Sequence, residues 1–150
     1  MIQMKKPFVF LACLSLLSTS CREERLRVPE KVLTAFHKDY PEIKDLHWEM
    51  ELGSFEAEFE MDGIDHSVVF SREGNWELTE RSIPGSEFPK WILDTLPIMF
   101  PDHRLTETSI LESPSKKTRY LAEVQWEGEI FDVLFNPDGT ILKMEDKEDD

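Results

Sequence analysis

The sequence predicts an α+β protein of two tandem repeats, each one helix followed by a four-stranded antiparallel meander, with the helices packed on one face of the sheet. Three observations carry this. Phe55, Ala57, Glu58, Phe59, Met61, Gly63, Val69, Phe70 and Gly74 recur sixty-five positions on as Tyr120, Ala122, Glu123, Val124, Trp126, Gly128, Leu134, Phe135 and Gly139. A spacing held over nine positions marks an internal duplication. Both copies alternate apolar and polar residues about Asp62-Gly63 or Glu127-Gly128, as paired strands do. An apolar stripe at helical spacing precedes each copy: Val32, Leu33, Phe36, Tyr40, then Ile92, Leu93, Leu96, Phe100.

Met1 to Ser20 reads as a leader, with Lys5 and Lys6 ahead of an apolar run from Phe8 to Leu17 and then Ser18, Thr19 and Ser20. That run is too short to cross the roughly 30 Å of a bilayer core as a helix. Cys21 follows directly and resembles the cysteine of a bacterial lipobox, although Leu17 stands one position further away than usual, with Ser18 in its place. The resemblance implies lipidation at Cys21, membrane contact through that anchor alone, and residence in the bacterial envelope, either periplasm or cell surface. Residues 21–27 form a polar tether. The body beyond holds no cysteine, so its core alone must stabilise it.

The first repeat is expected over 28–82. Pro29 suits the first turn of a helix, where its missing N–H costs nothing, and Pro41 stops that helix. Leu46, Trp48, Met50 and Leu52 alternate with His47, Glu49 and Glu51 as a half-buried strand does. Gly53-Ser54 is read as a two-residue turn, leading to Phe55, Ala57, Phe59 and Met61 alternating with Glu56, Glu58 and Glu60. Strands over about 65–71 and 75–81 complete the unit around Glu73-Gly74. Ser82-Ile83-Pro84-Gly85-Ser86 has turn composition and marks a boundary. The second repeat, 88–145, opens at Pro89 and carries strands over about 105–112, 120–126, 130–135 and 140–144. Its first hairpin is enlarged to Ser113–Lys117, and Asn136-Pro137-Asp138-Gly139 is a turn. Residues 146–150 are expected to be a disordered acidic tail. The two units are expected to form one continuous or abutting sheet whose other face is free.

A leader of lipoprotein type, two helix-plus-strand units, Asp-Gly or Glu-Gly turns and closing strands after Gly74-Asn75-Trp76 and Gly139-Thr140-Ile141 resemble the PepSY-like family, also called β-lactamase-inhibitor-like. The resemblance covers about 28–144. It implies an exported or envelope α+β domain, no catalytic residues, and a partner bound on the exposed sheet face.

Charge narrows the function. The chain carries a net −14, and −16 once Lys5 and Lys6 leave with the leader. Such a surface repels phosphate backbones, so nucleic acid is excluded as a partner and basic proteins or peptides are favoured. His37, His47, His66 and His103 are scattered without a His-x-x-x-His pair, so no transition-metal site is expected. There is no Gly-rich phosphate loop and no G-x-S-x-G elbow. Paired carboxylates for hydrolysis need a desolvated member, and these alternate onto a face that reads as wet, so no enzyme is expected.

With Gly53-Ser54 as the turn, Glu51 faces Glu56, Glu49 faces Glu58 and His47 faces Glu60. Like charges opposed across a sheet destabilise it by a few tenths to ~1 kcal/mol per pair. A basic partner would offset that repulsion, making Glu49, Glu51, Glu56, Glu58, Glu60 and His47 the candidate partner-binding residues, with Ser113–Lys117 as a secondary contact. Calcium held by the same carboxylates is the alternative; no other cofactor is expected.

Overall fold

The computed structural model describes residues 26–115 and 117–146. The leader, the expected lipidation site Cys21, Lys116 of the long hairpin and the last four residues lie outside them. Helix α1 (Glu30–Asp39) is followed by strands β1 (His47–Glu51), β2 (Ser54–Met61), β3 (Ile64–Phe70) and β4 (Trp76–Ser82). A 3₁₀ turn, Gly85–Glu87, leads to α2 (Lys90–Met99), then β5 (Arg104–Glu112), β6 (Arg119–Trp126), β7 (Glu129–Phe135) and β8 (Ile141–Asp146). Strand β8 thus takes in Asp146, the first residue of the expected tail.

The expected fold class is corrected. All eight strands form one antiparallel sheet in strict chain order, β1 to β8, so the protein is mainly a single meander with two short helices, not two helix-plus-four-strand units with helices laid on them. The decisive pairing is β4 with β5, in register at Thr79↔Glu112, Glu80↔Leu111, Arg81↔Ile110 and Ser82↔Ser109. The turn-rich stretch after Ser82 therefore does not divide the sheet. The physical reason is that a four-stranded unit would leave two exposed edges, and pairing β4 with β5 satisfies the backbone groups of both inner ones.

Apolar residues of alternate strand positions gather on one face into two clusters. One holds Val32, Phe36, Phe55, Ala57, Phe59, Val68 and Phe70. The other holds Ile83, Phe88, Ile92, Leu96, Phe100, Ala122, Val124, Val133 and Phe135. Each helix gives two buried residues one turn apart, Val32 and Phe36 from α1, Ile92 and Leu96 from α2. Phe36 centres the first cluster, with ring centroids 5.2 Å from Tyr40, 5.4 Å from Trp48 and 5.3 Å from Phe59. Trp126 closes the second, its indole Nε1 donating to the Pro101 carbonyl at 2.9 Å.

The first hairpin turns one residue earlier than the sequence suggested. Leu52 (φ 50°) and Gly53 (φ 92°) both have left-handed backbone, as do Asp62-Gly63 and Glu127-Gly128. Two positive φ values are the mark of a type I′ turn, whose twist suits a tight hairpin and which takes glycine second. Leu52 therefore occupies a turn position that disfavours it, with its side chain fully exposed.

Candidate functional site

Because β2 alternates, Glu56 and Glu58 lie on the face opposite Phe55, Ala57 and Phe59. The register follows the corrected turn: Glu49 faces Glu56, His47 faces Glu58, and Glu51 faces Ser54. Neither expected like-charge opposition survives: the two are replaced by a single one, Glu49 with Glu56, and His47 meets Glu58 in place of Glu60. Glu60 instead faces Asp65 across β3. Four of the six candidates stay at or near the surface as an acidic rim: His47, Glu49 and Glu60 exposed, Glu51 half-buried. His47 Nε2 lies 3.2 Å from Glu49 Oε1.

Glu56 departs from the wet face expected of it, being only 6% exposed. Its carboxylate accepts a short hydrogen bond from the Ser67 hydroxyl on β3. Burial holds its pKa above the usual carboxylate range; Glu51 and Glu49 push the same way, and Ser67 partly offsets them. Glu58 is raised in turn by burial, Glu56 and Glu49, against the opposing pull of His47.

The centre of this face is a residue the sequence reading passed over. Glu80 on β4 is 4% exposed and faces Ser67 on one side and Leu111 on the other. Burial pushes its pKa up to about 7, with Glu107, Asp132 and Glu56 adding to the rise. The nearby Ser109 hydroxyl pulls the other way, although it lies outside strict hydrogen-bond geometry. Farther along, Glu107 faces Glu123, Glu123 faces Asp132 and Asp132 faces Glu145. Carboxylates thus recur across this face from β1 to β8, broken beside Glu80 by Leu111 and Arg119, which face each other on β5 and β6, and flanked by the half-buried pair Leu121 and Leu134 on β6 and β7. Glu80 sits in a Leu-Thr-Glu-Arg segment that reads as any solvated strand. Asp132, between Phe131 and Val133, was the more visible signal.

Among the described residues no three His, Cys, Asp or Glu side chains are arranged to hold a metal ion. In the secondary candidate loop, Ser113 Oγ and Ser115 Oγ lie 2.8 Å apart, and Lys117 is exposed.

Neither a protein-family model nor a curated protein matches the chain. Solved structures do. A DUF2874 family protein from Bacteroides uniformis superposes with a TM-score of 0.70 at 20% identity, covering 79% of this chain and 88% of that one. A candidate periplasmic protein from Bacteroides eggerthii gives 0.73 at 21% identity, covering 80% and 89%. A BLIP-like protein from Bacteroides fragilis gives 0.65 at 24% identity, covering 82% and 89%. The chain therefore has a BLIP-like fold; these neighbours lend nothing to the PepSY side of the resemblance.

Proposed function

We propose that the chain is a non-enzymatic module of the bacterial envelope that binds a protein or peptide with a basic surface through the carboxylate face of its sheet. The observation that carries this is the concentration of carboxylates on the face away from both apolar clusters, with Glu56 and Glu80 held buried beneath an exposed rim of Glu49, Glu60 and His47. Burying Glu56 and Glu80, which make no ion pair among the described residues, opposes folding, and a basic partner offsets that cost. Rim charges set the rate and orientation of encounter, while Leu121 and Leu134 offer apolar contact on the same face. The BLIP-like fold supports a binding role, and the leader, Cys21 and the Bacteroides eggerthii neighbour support export, with lipid anchoring at Cys21 as part of the proposal.

The test is affinity capture from envelope extract with the native chain and with a Glu49→Gln, Glu58→Gln, Glu60→Gln triple variant. The expected result is a basic protein held by the native chain, released by salt and lost with the variant. A partner retained equally by both would overturn the reading.

A further inference from the structure

The opposite face carries a second feature. Where the two apolar clusters meet, a partly open cavity of about 150 Å³ is lined by Tyr40, His66, Thr79, Arg81, Ile110 and Glu112. Tyr40 belongs to the fringe of one cluster and Ile110 to the fringe of the other, so the cavity is the seam between them. Its floor is polar. His66 and Arg81 face each other across β3 and β4, and Arg81 in turn faces Ile110 on β5.

The two basic side chains are held open. His66 is 8% exposed, its ring stacked on Phe59 at 5.4 Å with 11° between planes. Its Nδ1 donates to the Ile64 carbonyl at 2.9 Å, so Nε2 is the nitrogen left for a ligand. Arg81 is half-buried, and among the described residues its side chain makes neither an ion pair nor a hydrogen bond. In a chain of net charge −14, a guanidinium at the middle of a sheet with no carboxylate on it is anomalous. Tyr40 and Thr79 bring hydroxyls to the same wall, that of Thr79 accepting from Trp76 Nε1 at 2.8 Å. Glu112, opposite Thr79 on β5, is exposed and sets a carboxylate on the lining.

We propose that this cavity binds a small zwitterion of the amino-acid class. The guanidinium fork of Arg81 matches a carboxylate, Glu112 accepts from the ammonium group, and Ile110 and Tyr40 meet the side chain. Size and charge both select this class. A cavity of roughly 150 Å³ holds a molecule about as large as benzene, which admits a small amino acid and excludes a drug-sized ligand. An anion without a positive group would be repelled by the acidic protein around it, whereas a zwitterion enters neutral. The site is independent of the carboxylate face, from which the sheet separates it.

The test is a thermal-shift screen of the full chain against the free amino acids, followed by calorimetric titration of the best one, its amide and its N-acetyl derivative. At least one free amino acid is expected to raise Tm at millimolar concentration, through mass action on the folded state. Removing the ligand carboxylate as the amide, or introducing Arg81→Gln, is expected to weaken binding about tenfold or more, the loss of a charge-assisted hydrogen bond. N-acetylation and Glu112→Gln are expected to weaken it by a smaller factor. Arg81 has no protein partner to lose, so its variant keeps the fold, which circular dichroism checks. No binding by any amino acid, an amide that binds as tightly as the acid, or full affinity in Arg81→Gln would each overturn the proposal.

Discussion

Adjacent residues on β2 are equally hidden and chemically opposite. Phe55 and Ala57 are 2% and 0% exposed on one face, and Glu56 between them is 6% exposed on the other. The first face gains from every apolar group taken out of water. The second does not, because burial disfavours the charged form of a carboxylate and three acids here have raised pKa values. One face therefore stabilises the fold at any pH, and the other withdraws stability as its acids ionise. A surface that weakens its own protein in this way is better explained by what it binds than by what it holds together.

The sharpest way to separate the two faces is to damage the apolar one. Phe36 is fully buried and touches four other rings, so Phe36→Ala is expected to cost about 3–5 kcal/mol. Chemical denaturation should show the same loss at pH 5 and pH 8.

Glu80→Gln should behave in the opposite manner. The native state holds a proton on Glu80 up to about pH 7, while the unfolded chain releases it near the ordinary value of 4.5. Between those two pH values the folded state binds more protons, so stability falls as pH rises and levels off above 7. At 1.36 kcal/mol per pKa unit, the native chain is expected to lose about 2 kcal/mol from this group between pH 5 and pH 8. The glutamine variant should lose much less and should be the more stable protein at pH 8.

Smaller still is Glu49→Gln, which removes the one direct carboxylate opposition between β1 and β2. A gain of a few tenths of a kcal/mol is expected in low salt, shrinking as salt is added, because Glu49 is about half exposed. Melting curves at two ionic strengths would show it. Leu52→Asn leaves both faces untouched and serves as the control. It places a residue that tolerates left-handed backbone at a strained turn position and should raise stability by up to about 1 kcal/mol at every pH.

What the sequence revealed follows the range of the forces involved. Alternation in Tyr120–Trp126 and the stripe through Val32 and Phe36 are local patterns, and each gave a strand or helix within a residue or two of its observed bounds. Gly53 was ambiguous, since glycine serves as the first residue of one hairpin turn type and the second of another; choosing the first shifted the whole carboxylate ladder by two residues. The pairing of β4 with β5 is set by edge satisfaction across a linker and has no local signature. Nor does the burial of Glu80, which depends on Ser67 and Leu111 flanking it from strands far apart in the chain. The acidic rim at Glu49 and Glu60 was legible, and the hidden acids beneath it were not.

The central claim is that a carboxylate lies desolvated in the middle of this face, and carbon-13 NMR of the side-chain carboxyls reads it directly. Titrating the free protein, the Glu80 resonance is expected to move with a midpoint near pH 7. A midpoint at the ordinary 4.5 would mean that water reaches it, and the distinction between the two faces would fall.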